Sequence, residues 1–179
     1  AYPGLFVLMA GDAVRYSIGW AGWGAVIGLG TLATIIYLIA FDAKPTLKRI
    51  PEPLVLLLFL MGASVLWSQY KPQTLLSFSL QIASVLFAVF LANQFGWRQL
   101  LNILSNTVRF ILITSLLFEI YAALTGPVEP IFPNYEGDPP APAYLWSQGN
   151  LFEGERIQGI VGNANLIAFV AVLGLLLFL

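Results

Sequence analysis

Apolar residues in this chain are grouped in long runs that are separated by short polar segments. A helix rises about 1.5 Å per residue, so a run of about 20 residues matches the hydrocarbon core of a bilayer. The pattern predicts an all-α fold: one transmembrane domain over residues 1–179, a polytopic membrane helix bundle. The five predicted spans are 19–41, 53–70, 73–95, 105–124 and 160–179. The run 3–10 is too short to cross, and the mixed run 99–106 predicts an interfacial helix.

Turn and loop signals lie in the polar segments between these runs. Residues 69–71 precede Pro72, and a proline disfavours helix at the residue before it, so a tight hairpin is predicted between two spans. The segment 126–156 is the longest loop and is rich in proline and acidic residues. Such a density of proline excludes a regular helix or a central strand. Because the loop also contains aromatic and aliphatic side chains, we predict that it is ordered on the membrane face.

The basic residues predict an orientation, because short cytoplasmic loops carry an excess of lysine and arginine. One side of the predicted topology holds Lys44, Lys48, Arg49, Arg98 and Arg109, and the other holds Arg15, Lys71 and Arg156. The first set is the larger, so its side is predicted to be cytoplasmic. The acidic loop 126–156 is then predicted to face outward.

Composition agrees with a lipid-embedded chain and argues against several functions. Hydrophobic residues make up 59% of the sequence and charged residues 9%, whereas a soluble domain carries about 25% charged residues. A formal net charge of −1 argues against a nucleic-acid partner, which requires a dense basic patch. Histidine and cysteine are absent, which removes the usual general base and thiolate nucleophile from this stretch. No motif for a metal or a cofactor is present, so neither is predicted.

Two charged residues in or beside the predicted spans are candidates for function. Glu119 lies within the span 105–124, where a carboxylate is costly unless it is paired, protonated or buried in the bundle. It either reaches interfacial water near the helix end or faces a cationic or hydroxyl-rich ligand in an outward cavity. Arg15 lies on the predicted outward side, where it either binds a ligand or forms a local salt bridge with Asp12. The salt bridge is the simpler interpretation.

The junction between the acidic loop and the last span holds a dense group of polar residues. Arg156 is followed by Gly159, Gly162, Asn163 and Asn165. An arginine at this place could simply extend its charged end to the interface. The glycines, however, let other groups approach the backbone closely, and asparagines at membrane depth need partners. Because a guanidinium can hold a pyrophosphate through two parallel hydrogen bonds, we predict an outward-facing polar site here.

The same residues resemble a signature of the O-antigen ligase and polymerase superfamily. That signature is an arginine, a glycine three residues later and an Asn-x-Asn pair before an apolar helix; Arg156, Gly159, Asn163 and Asn165 match it. Residues 66–75 are similar to the family's hairpin, in which tryptophan and serine are followed by proline and leucine. The order of the motifs and the spans between them also fit, so the resemblance covers most of the chain.

The resemblance implies a C-type glycosyltransferase fold in the cytoplasmic (inner) membrane of a bacterium. Family members transfer a glycan from undecaprenyl pyrophosphate to lipid A-core or to another glycan, at the outer face and without a metal ion. The implied partners are therefore an undecaprenyl-pyrophosphate-linked glycan donor, a lipid or glycan acceptor, and membrane lipid. Arg156 matches an arginine thought to hold the pyrophosphate and is the predicted catalytic residue. The predicted substrate-binding residues are Asn163, Asn165, Gly159, Glu119 and Arg15.

This sequence departs from the family pattern, because it has no histidine and no later outward loop, where a family histidine is proposed to assist the acceptor. Residue 1 is alanine and the last apolar run is cut off, so we expect part of a longer protein, and we find no signal peptide.

Two alternatives to the glycosyltransferase function stay open. One is a transporter of a small anion or lipid-linked glycan, in which Glu119, Asn163 and Asn165 line the path. The other is a non-catalytic scaffold whose outward loop is a docking surface.

Overall fold

The computed structural model describes residues 1–40, 51–133 and 141–179. Regular structure in these ranges is helical, apart from an isolated antiparallel bridge between Val128 and Ser147. The helices are α1 (Tyr2–Met9), α2 (Gly11–Ala40), α3 (Glu52–Ser64), α4 (Lys71–Gln94), α5 (Trp97–Thr125) and α6 (Ala164–Phe178). Two 3-10 turns, Pro142–Tyr144 and Asn150–Phe152, lie between α5 and α6. The prediction of an all-helical chain is confirmed.

Three of the described helices, α2, α4 and α5, are long and apolar enough to cross a membrane, which supports the membrane class. The apolar helices α3 and α6 are shorter, with 13 and 15 residues. Helix α2 begins before the predicted span 19–41, and α3 ends at Ser64, short of the predicted end at residue 70. Helix α5 includes the segment 99–106, which was expected to be a separate interfacial helix. No proline or glycine occurs from Trp97 to Thr125, so nothing in the sequence breaks the helix there.

Some predictions fall on residues outside those described. Lys44, Lys48 and Arg49 are among them, as are residues 134–140 of the acidic loop. The orientation across the membrane therefore stays a prediction. The described parts of the loop, 126–133 and 141–156, contain the β-bridge and both 3-10 turns.

Helix α2 is kinked at Gly19, whose φ of 75° and ψ of 177° are not helical. This positive φ favours glycine, which has no Cβ. In an uninterrupted helix the Tyr16 carbonyl would accept from the residue four positions on. Here it accepts from the backbone N–H of Phe132 at 3.1 Å instead. The kink therefore joins α2 to the loop that follows α5.

The first of two compact units comprises Ala1–Val26 and Trp97–Leu179. Its core lies mainly between α5 and α6, with contributions from α1 and the start of α2. The buried apolar residues of this core are Ala10, Ala13, Val108, Ile111, Val161, Ile167 and Val170. Gly174 lets the two helices approach closely, because a Cβ there would lie 3.0 Å from Leu112 Cδ1. The irregular segment 157–162 leads into α6 and lies beside this packing.

The second unit, Ile27–Gly96, contains the hairpin of α3 and α4. The turn lies where Pro72 predicts it. The hydroxyls of Ser68 and Thr74 are 2.6 Å apart, and the backbone N–H of Tyr70 donates to Ser68 Oγ at 3.1 Å. The turn is thus stabilised by residues that are close to it in sequence.

Candidate functional site

Glu119 lies on α5 with 1% of its surface exposed, and protein groups surround its carboxylate. Oε1 accepts from the backbone N–H of Gln158 at 2.9 Å and from that of Gly159 at 2.6 Å. Oε2 accepts from the Ser147 hydroxyl at 2.9 Å. Hydrogen bonds to a charged group contribute about 1.5–3 kcal/mol each. The three donors therefore compensate for burying the carboxylate and attach two loop segments to α5.

Ser115 lies one turn before Glu119 on the same face of α5. Its Oγ accepts from the backbone N–H of Ile160 at 3.2 Å. Gly159 has a φ of +59°, and a Cβ there would lie 2.7 Å from both Cβ and Oγ of Ser115. The loop backbone thus rests directly on the helix. We call Ser115, Glu119 and Ser147 the Glu119 cluster, and residues 157–162 the docked segment.

Other contacts complete the docked segment and the start of α6. Trp146 Nε1 donates to the carbonyl of Ile160 at 2.9 Å. A Cβ at Gly162, whose φ is +67°, would lie 2.5 Å from Tyr16 Cε2, so only glycine fits there without movement. Asn163 caps α6, because its Oδ1 accepts from the backbone N–H groups of Asn165 and Leu166 at 2.9 and 3.3 Å. Irregular backbone beside apolar helices thus finds its partners within the protein.

A groove of about 550 Å³ lies between α5 and α6 beside the docked segment. Its apolar lining consists of Leu112, Leu116, Ile157, Ala164, Ile167, Ala168 and Ala171. Its polar lining consists of Ser115, Glu155, Arg156 and Asn165. Of these polar residues, Asn165 lies in the first turn of α6, and Arg156 precedes the docked segment. A largely apolar cleft with a cation in its lining can hold an anionic group that is carried on a hydrocarbon chain.

The Arg156 guanidinium at this groove is exposed, and within the described ranges it forms no ion pair. The neighbouring Glu155, which also lines the groove, forms no ion pair with Arg156 in the described residues; its Oε2 accepts from Asn150 Nδ2 at 3.1 Å. Charge-assisted hydrogen bonds from such a guanidinium to phosphate oxygens can be bidentate. The arginine is therefore available for an external anion.

Two of the residues predicted for the site, Arg156 and Asn165, come together on the groove. Glu119 and Gly159 instead bond to each other beneath it, and Asn163 caps α6. Their prediction as ligand-binding residues is not tested, but each has a role within the fold. The glycine that was expected to admit a ligand close to its backbone in fact admits Ser115.

Arg15 does not line the groove. Its Nε lies 3.0 Å from Asp12 Oδ1, in an ion pair without a well-aligned hydrogen bond. Its guanidinium also lies over the rings of Tyr16 and Trp20, 4.7 Å from each centroid. The local salt bridge expected from the sequence is present, and it accounts for the charge of this arginine.

Ser115 and Ser147 were not predicted as part of the site. A signal existed for Ser115, since it lies four residues before Glu119 and would share its helix face. Ser147 gave no such signal in the sequence, because its approach to Glu119 depends on the path of the whole loop.

The described residues include no group of three or more histidine, cysteine, aspartate or glutamate side chains that could hold a metal. Comparisons of the chain with protein-family models, with curated proteins and with solved structures find no match.

Proposed function

We propose that this chain transfers a glycan from undecaprenyl pyrophosphate to a lipid or glycan acceptor, at the outer face of a bacterial cytoplasmic membrane. One observation carries the proposal: the exposed Arg156 lines a largely apolar groove between α5 and α6. The apolar lining suits a hydrocarbon chain, and the guanidinium suits a pyrophosphate. Together they fit a lipid-linked pyrophosphate better than a water-soluble anion. The resemblance of Arg156, Gly159, Asn163 and Asn165 to the O-antigen ligase signature supports the same substrate.

In the proposed reaction, an acceptor hydroxyl oxygen forms a bond to the anomeric carbon of the glycan. The bond from that carbon to the pyrophosphate oxygen breaks, the hydroxyl proton is released, and undecaprenyl pyrophosphate leaves. Arg156 acts by neutralising the negative charge that develops on the leaving oxygen. Asn165, which also lines the groove, can donate from its side-chain amide to the same head group. The resemblance implies that this chemistry needs no metal ion.

Replacing Arg156 tests the proposal. Arg156→Ala should lower the rate of transfer from a lipid-linked oligosaccharide in detergent by about 100-fold or more, because a preorganised electrostatic partner is lost. Arg156→Lys should retain part of the activity, since lysine keeps the charge but not the bidentate geometry. The matched control is Arg98→Ala, an exposed arginine on α5 outside the groove, which should leave transfer unchanged. Full activity of a correctly inserted Arg156→Ala variant would contradict the assignment.

A transporter remains the competing class, and the same preparations distinguish it. Uptake of a labelled lipid-linked glycan into vesicles is measured beside transfer in detergent. A transporter would use Glu119 to line a path, whereas its carboxylate accepts three hydrogen bonds from the protein itself. We therefore expect transfer without uptake. Uptake without transfer would contradict the enzyme and support a transporter. The absence of both uptake and transfer would support a scaffold.

A further inference from the structure

We infer that Glu119 is a positioning residue: through the docked segment it holds Arg156 at the groove, and it does not contact substrate. This rests on the proposed function, in which Arg156 binds the pyrophosphate. It also changes the role of Glu119 from a partner of the ligand to a partner of the loop.

The first step is the anchoring of the backbone next to Arg156. Three consecutive backbone N–H groups, of Gln158, Gly159 and Ile160, donate to side chains of α5. The first of these residues is two positions from Arg156. The Arg156 side chain itself is exposed and has no ion pair within the described part of the chain. The region that its guanidinium can reach is therefore set by the position of the backbone, and the backbone is held largely by the Glu119 cluster.

The second step concerns the carboxylate itself. Glu119 is 1% exposed and both of its oxygens are engaged by protein donors. Its partner Ser147 also accepts from the backbone N–H of Gly149 at 3.1 Å, so the cluster organises a second stretch of the loop. A ligand hydroxyl or cation would have to displace these bonds to reach the carboxylate. Glu119 is built into the protein rather than presented to a ligand.

The inference separates two substitutions sharply. In Glu119→Gln, the amide oxygen can still accept from both backbone N–H groups, and the amide nitrogen can donate to Ser147 Oγ. The geometry of the docked segment is then kept while the charge is lost. In Glu119→Ala, all three donors lose their acceptor. A positioning role predicts that the glutamine variant keeps function and the alanine variant loses it.

A labelling experiment reads the position of residue 156 without any need for catalysis. The sequence contains no cysteine, so Arg156→Cys introduces a single thiol into the full chain. The rate at which this thiol reacts with a membrane-impermeant maleimide is measured in three proteins: Arg156→Cys alone, Arg156→Cys with Glu119→Gln, and Arg156→Cys with Glu119→Ala. We expect the alanine variant to change the rate several-fold and the glutamine variant to leave it unchanged. Lys71→Cys, in the α3–α4 hairpin, is the control thiol, whose rate should be the same in all three backgrounds.

Transfer kinetics supply the second readout. Glu119→Ala should lower kcat/KM by about 100-fold, the cost of a small misplacement of a catalytic group. Because it acts through Arg156, combining it with Arg156→Ala should lower kcat/KM no further than Arg156→Ala alone. If Glu119→Ala does not fold, two other variants are measured in its place. Ser115→Ala removes one bond of the cluster, from the Ile160 N–H, and Ser147→Ala removes two, to Glu119 and from the Gly149 N–H.

The outcomes are distinct. An inactive Glu119→Gln variant with unchanged labelling at residue 156 would overturn the positioning role, since the charge itself would then act on substrate. Additive losses in the double variant would also overturn it. Full activity of Arg156→Ala would instead overturn the proposed function, while the labelling rates would still report whether Glu119 positions residue 156.

Discussion

Two irregular segments connect apolar helices in this protein, and they find their hydrogen-bond partners in different ways. The turn between α3 and α4 uses neighbours, since Ser68 Oγ pairs with Thr74 Oγ1 and accepts from the backbone N–H of Tyr70. The docked segment before α6 uses distant residues. Its backbone N–H groups donate to Ser115 and Glu119, which lie 39 to 45 residues away in the sequence.

The two segments also differ in how far they are buried in the protein. Trp67 and Tyr70 in the turn are 65% and 68% exposed, whereas Glu119 and Val161 at the docked segment are 1% and 0% exposed. Water can replace a lost partner in an exposed turn but not in a buried segment, where an unsatisfied polar group costs about 1–3 kcal/mol. Substitutions should therefore be costly in the docked segment and mild in the turn.

The largest effect is expected for Gly159→Ala. A Cβ at this residue would lie 2.7 Å from Ser115 Cβ and Oγ, and φ is +59°. The positive φ and the overlap together should lower the free energy of unfolding in detergent by about 2–5 kcal/mol. The matched control is Gly154→Ala, where φ is +73° but nothing lies within 4 Å of the added Cβ. Gly154→Ala should lower the free energy of unfolding by a smaller amount, the cost of the backbone conformation alone. Equal losses of unfolding free energy in the two variants would show that the docked segment does not rest on Ser115.

Ser115→Ala should have an intermediate effect. It removes the acceptor of the Ile160 N–H and should lower the free energy of unfolding by about 1–2 kcal/mol. Thr114→Ala is the control, because the Thr114 hydroxyl donates to carbonyls of its own helix, at Phe110 and Ile111. Chemical denaturation of both variants in mixed micelles measures the difference. An equally large loss of unfolding free energy for Thr114→Ala would mean that the bond from the loop stabilises no more than a hydroxyl bond within the helix.

The smallest effect is expected in the turn. Ser68→Ala removes the hydroxyl that pairs with Thr74 and accepts from Tyr70, but water can take its place. The change in unfolding free energy should stay within about 0.5 kcal/mol, as for most surface substitutions. A loss as large as that of Ser115→Ala would remove the distinction between the two segments.

The same distinction explains what the sequence could predict. The helical class follows from runs of apolar residues, and the turn follows from Pro72, because both depend on neighbouring residues. The Glu119 cluster depends on a loop that returns to α5 after some 40 residues. Nothing near Glu119 in the sequence indicates that backbone donors will surround it. The carboxylate was therefore correctly expected to need partners, but the partners could not be named.

Within the candidate site, residue type predicted some positions better than others. Arg156 and Asn165 both line the groove, although the sequence predicted only a polar site near Arg156 and no groove, and their role as ligand-binding residues stays a prediction. Gly159 was singled out for close approach, and the approach is real, but the approaching group is Ser115. A glycine can indicate that another group lies close to the backbone, but the identity of that group depends on tertiary packing.

The bend of α2 at Gly19 links two parts of the first unit energetically. Straightening the helix there would return the Tyr16 carbonyl to its own helix and release the N–H of Phe132. Thermodynamic linkage is reciprocal, so anything that holds the loop around Phe132 in place also favours the bent helix, by the same free energy. Binding or modification of the loop around Phe132 can in this way change the conformation of α2 without any direct contact with the helix.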